Sequence, residues 1–78
     1  MGKRTTLDKL TARQKATVIS VKNSSRIHKR MLEMGVTAGA LIEVVKAAPL
    51  GDPIEVKVRG YMLSLRKNEA NDVVVEIM

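Results

Sequence analysis

Few residues in this sequence could do acid–base, nucleophilic or metal chemistry. The 78 residues include no cysteine and a single histidine, His28. His28 stands between Ile27 and Lys29 and reads as a half-exposed helix residue. A role as metal ligand or proton carrier would need distant partners that no local spacing identifies. The carboxylates are scattered, and the G-x-x-x-x-G-K pattern that cradles phosphate is absent. The sequence therefore predicts a protein that is not an enzyme, with no catalytic residue, no metal ligand and no cofactor.

Charge and apolar surface are the chemistry that remains. Residues 1–30 hold nine Lys or Arg against Asp8 alone, whereas residues 31–78 hold five against seven acidic residues. The net charge is +6. Such a basic end suits an acidic partner, an anionic membrane surface or nucleic acid. Arg26, Lys29 and Arg30 share one side of an expected helix over Ser25–Met34, with Ile27, Met31 and Met34 at i, i+4 and i+7 on the other and Leu32 widening that apolar stripe. Arg26 lies near the helix N-terminus, where the macrodipole disfavours a cation by roughly 0.3 kcal/mol or more. Solubility could be met elsewhere, so this placement favours binding. Nucleic acid is not the expected partner, because single-strand and RNA readers stack bases on several aromatics and Tyr61 is the only one here. A membrane would be met only indirectly, since the short apolar stripe is needed by the core.

Apolar contact to a partner is expected from a loop and a strand end. The loop from Ala47 to Pro53 carries Leu50 between Pro49 and Pro53, with Gly51-Asp52 as turn chemistry. A loop tip buries an apolar side chain poorly unless something covers it. Met31, Met34 and Met62 are adaptable gap-fillers or the lining of a groove near Leu50, Tyr61 and Met62. The candidate partner-binding residues are Arg26, Lys29, Arg30, Pro49, Leu50, Gly51, Asp52, Pro53, Tyr61 and Met62.

The elements that must position these residues are mostly strands. Residues 1–6 are polar and read as a loose terminus, and 7–78 as a single domain. Leu7 and Leu10, three apart, suit one turn plugging the end of a core. Strands are expected over Lys15–Val21, Leu41–Lys46, Ile54–Arg59, Tyr61–Leu65 and Val73–Ile77. In the first of these both faces carry apolar residues, so inside and outside stay undecided. Asn23-Ser24-Ser25 offers N-caps for the helix, and Gly35 ends it. Gly39 and Gly60 mark tight turns, and Arg66–Ala70 suits a helical turn. Ile54 to Arg59 alternates cleanly, as a strand with one buried face does. A single helix cannot cover an open sheet, so closing five or six short strands into a small barrel is the expected solution: a mainly β fold with one helix about 25–34. At this size roughly 60–65% of the unfolded chain's surface can be buried. The N-terminus has no apolar stretch of a secretion signal, and no run approaches the roughly 20 residues of a membrane span, so a cytoplasmic protein is expected.

Leu7-x-x-Leu10, Arg30 to Gly39, Ala48-Pro49-Leu50-Gly51-Asp52-Pro53, Gly60-Tyr61, Leu65-Arg66 and Glu69-Ala70 together resemble the FeoA family over about Leu7 to Ile77. The resemblance implies an SH3-like barrel with a helical insertion. It implies an accessory role in bacterial ferrous iron uptake and, as partner, the cytosolic GTP-binding part of the FeoB membrane transporter. A related domain ends metal-dependent repressors, so the alternative it leaves is a regulatory domain binding metal or nucleic acid. Oligomeric state is open. Two turns depart from the family: Ala12-Arg13 stands where Pro-Gly is common, and Ala38 where Pro often precedes the Gly39 position.

Overall fold

The computed structural model describes residues 2–22, 28–47 and 52–78. Six strands form one antiparallel sheet: β1 (Arg4–Thr6), β2 (Lys15–Val21), β3 (Leu41–Ala47), β4 (Ile54–Val58), β5 (Tyr61–Leu65) and β6 (Val73–Ile77). Their spatial order is β1-β6-β2-β3-β4-β5. A 3₁₀ turn (Leu7–Lys9) and two short helices, α1 (His28–Glu33) and α2 (Lys67–Ala70), complete it. Among the described residues no helix is long and apolar enough to cross a membrane.

The mainly β reading holds, and the sheet curls over one cluster of buried side chains. Val18, Val36, Ile42, Val44, Val56, Val58, Val73 and Val75 are all fully buried within it. These are β-branched residues, stiff at χ1 and suited to a pleated surface. Leu7 and Leu10 are buried against the same cluster, so the single turn does plug the core. The hydrogen-bonded ladder ends at β1 and β5, and among the described residues no pairing joins them. The barrel thus keeps two edges instead of closing fully.

Bulges settle which face of β2 points inward. Val18 pairs with Val75, but Ser20 pairs with Val74 and Val21 with Val73. The extra residue, Ile19, flips the alternation, so Ala16, Val18 and Val21 are all buried. A second bulge at Val45 does the same in β3, where Val44 faces Val56 but Lys46 faces Glu55.

Three expectations require correction. Residues 1–6 are not a loose terminus throughout: Arg4, Thr5 and Thr6 pair with Glu76, Val75 and Val74. The partner strand, not local apolarity, orders them. Leu32 does not widen the buried stripe but is 44% exposed, while Met31 is buried and Met34 half-buried. The strand expected to reach Arg59 stops at Val58, because Arg59 and Gly60 turn the chain. The N-cap candidates Asn23, Ser24 and Ser25, together with Ile27, lie outside the described residues.

Candidate functional site

Helix α1 ends in a Schellman motif. Val36 N–H donates to Met31 O at 2.8 Å and Gly35 N–H to Leu32 O at 3.1 Å. Gly35 takes φ +85°, the left-handed conformation glycine accepts without a Cβ clash. Met31 and Val36 are both buried, which supplies the motif's apolar contact.

The β4–β5 hairpin turns directly beside this helix end. Val58 pairs with Tyr61 across a two-residue loop, and both loop residues have positive φ, Arg59 at 50° and Gly60 at 82°. That is the type I′ signature that matches the twist of paired strands. Arg59 donates Nε–H to Gly35 O at 2.6 Å, fastening the hairpin to the helix end. The contact is intimate: a Cβ built on Gly35 would lie 2.7 Å from Arg59 Cδ.

The junction forms a shallow groove lined by Glu33, Met34, Gly35 and Tyr61. Tyr61 is 60% exposed although it shares the inward parity of Leu63 and Leu65. Met62, beside it, is 55% exposed on the outer face opposite Lys57. Lys29 and Arg30 are exposed on α1, one turn before Glu33 and Met34. Arg59 and Gly60 line a second hollow with Gly39, Ala40, Leu41, Glu43 and Lys57.

The expected partner-binding residues are thus not one surface. Tyr61 lies beside the end of α1 with Met62 adjoining it, and Lys29 and Arg30 stand one turn earlier on the same helix. Asp52 and Pro53 precede the opposite end of β4, whose first residue, Ile54, is four steps or roughly 13 Å from Val58. Asp52 accepts the Lys67 N–H at 3.1 Å and lies 4.0 Å from Arg66 Nη1. It therefore ties the residues just before β4 to the start of α2. Arg26, Pro49, Leu50 and Gly51 lie outside the described residues.

Sequence reasoning missed two features. The first is Arg59, expected as the end of a strand but turning the chain with Gly60 in a two-residue loop of positive φ. The second is the bond from Lys67 N–H to the Asp52 carboxylate, which no local spacing announces. Among the described residues no group of three or more His, Asp or Glu gathers around a metal-sized space. Lys29, Arg30, Lys57 and Arg59 have no carboxylate partner within 4.0 Å among the described residues, where the ion pairs are Arg4–Glu76 and Arg66–Asp52.

With this geometry in view, the chain compares closely with known proteins. The FeoA domain family model matches residues 5–77. Over 72 residues the chain is 36% identical to an Fe(2+) transport protein A/Fe(2+) transporter FeoB fusion protein of Porphyromonas gingivalis, covering 92% of this chain. The chain spans 8% of that protein's length. The NMR structure of a FeoA-like protein from Clostridium acetobutylicum superposes with a TM-score of 0.87 at 38% identity, covering all of this chain and 91% of that one. The zinc-complexed crystal structure of Stenotrophomonas maltophilia FeoA, described as an SH3 domain protein, gives 0.80 at 34% identity over 90% of this chain and 87% of that one. By family match, sequence identity and the six-stranded SH3-like architecture, the chain belongs to the FeoA family.

Proposed function

We propose that this chain is a non-catalytic cytoplasmic accessory protein of bacterial ferrous iron uptake, which binds the cytosolic GTP-binding part of a FeoB-type transporter and regulates it. The observation that carries this reading is the Porphyromonas gingivalis relative, described as a fusion of an Fe(2+) transport protein A with the transporter FeoB. Two modules on one polypeptide meet at a high effective concentration, on the order of millimolar for a short linker. Where the two modules lie on separate chains, affinity must supply that proximity. The excess of positive charge suits the task, since complementary fields speed encounter between partners.

Co-purification of the tagged chain with the transporter's cytosolic domain tests this reading, with GTP hydrolysis followed as the chain is added. A complex and a dose-dependent change in hydrolysis are expected. No complex overturns it. Tight, stoichiometric ferrous iron binding at neutral pH, or a DNA shift that persists near physiological salt, would instead favour the metal- or nucleic-acid-binding alternative.

A further inference from the structure

We infer that the groove between the end of α1 and the β4–β5 hairpin receives an acidic peptide segment that inserts one apolar side chain against Met34 and Tyr61. This deepens the reading of the chain as a transporter-binding protein and rests on it, by naming the face and the chemistry of the segment it takes.

The argument starts from exposure. Tyr61 is the chain's one aromatic residue, and it stands 60% exposed on an edge strand at the mouth of the groove. It lines the groove together with Met34, and tyrosine is an efficient anchor at protein contacts because it couples an apolar ring to a polar tip. Met34 adds a polarisable, adaptable wall. Charge sets the rest of the ligand's character. Glu33 is the one charged residue lining the groove, while Lys29 and Arg30 stand exposed one turn before it on α1 and Arg59 reaches Gly35 O at its edge. None of the three cations has a carboxylate within 4.0 Å among the described residues. Unpaired like charges held on a helix and a turn create a field that an acidic segment neutralises.

Arg59 acts as a positioning residue. Its Nε–H to Gly35 O bond fixes the hairpin against the helix end, and so sets the distance between Tyr61 and Met34. The opposite end of the sheet is not part of this face, because Asp52 there is engaged by Lys67 and Arg66.

The test measures affinity of the full chain for the transporter's cytosolic domain by calorimetry, at low and at physiological salt. The variants are Tyr61→Ala, the double change Lys29→Glu with Arg30→Glu, and Arg66→Glu as a control at the other end. All three alter exposed side chains, and circular dichroism confirms that each is folded. The groove predicts a loss of about tenfold or more for Tyr61→Ala and for the double reversal. It predicts little change for Arg66→Glu, and salt-sensitive binding by the unmodified chain that flattens in the double variant. Binding kept by both groove variants overturns the groove and leaves the transporter reading standing. Binding lost with Arg66→Glu alone moves the face to the other end. No binding by the unmodified chain overturns both readings.

Discussion

Arg59 and Gly35, 24 residues apart in the chain, hold the β4–β5 hairpin to the end of α1 through one 2.6 Å hydrogen bond between a side chain and a carbonyl. Each residue is in the left-handed region, and each depends on the other's position. Gly35 must lack a Cβ both for its φ of +85° and for the passage of Arg59 Cδ. Arg59 accepts an unfavourable φ of 50°, and its side chain recovers part of that cost as the bond to the helix end.

Gly35→Ala tests the double dependence. The left-handed conformation alone costs an L-residue about 1–2 kcal/mol, and the contact with Arg59 adds to it. Urea unfolding should show a loss of roughly 2 kcal/mol in the otherwise unmodified chain. In an Arg59→Ala background the loss should shrink, since the obstructing side chain is gone. An equal loss in both backgrounds would show that the close approach contributes nothing.

Arg13 is the counterpart in the turn before β2. It takes φ +72° and donates its N–H to Val44 O at 2.6 Å. The FeoA resemblance puts glycine here, and the geometry gives the reason. Arg13→Gly should raise stability by about 0.5–1 kcal/mol, the relief of strain less the greater entropy of a glycine in the unfolded chain. A lowered unfolding midpoint would contradict this.

Removing residues 1–6 tests whether the first strand matters. Arg4–Thr6 pair with β6, and β6 supplies the buried Val73 and Val75. The shortened chain should melt several degrees lower, because for a domain this small 1 kcal/mol corresponds to roughly 4–8 °C. An unchanged melting temperature would restore the loose terminus expected from the polar sequence.

Asp52→Ala separates capping from ion pairing. Its carboxylate receives the Lys67 N–H at the start of α2, and such a cap contributes about 1 kcal/mol. The 4.0 Å pair with Arg66 is solvent-exposed and contributes little. Asp52→Ala should therefore destabilise measurably by urea titration while Arg66→Ala does not. Equal effects would assign the contribution to the ion pair.

Much of the fold was legible because strand alternation and turn residues agree. Ile54, Val56 and Val58 are buried as alternation requires, and Gly35 and Gly60 sit where sharp turns were expected. The inward face of β2 was not legible, since the bulge at Ile19 changes parity without a glycine to announce it. Nor was β1, a polar edge strand defined by its partner. For the candidate site, residue types were readable but their assembly was not. The end of α1 meets the hairpin that carries Tyr61 through the Arg59–Gly35 bond, a link that no local window contains. Asp52 belongs elsewhere because its carboxylate finds a backbone donor 15 residues on.

The central claim is that this FeoA-family chain binds the cytosolic part of a FeoB-type transporter. Isothermal titration of the intact chain into that purified cytosolic domain tests it most directly. Saturable heat of fixed stoichiometry, weakening as salt is raised, is the predicted result; a flat titration at low salt, with both proteins folded, would contradict it.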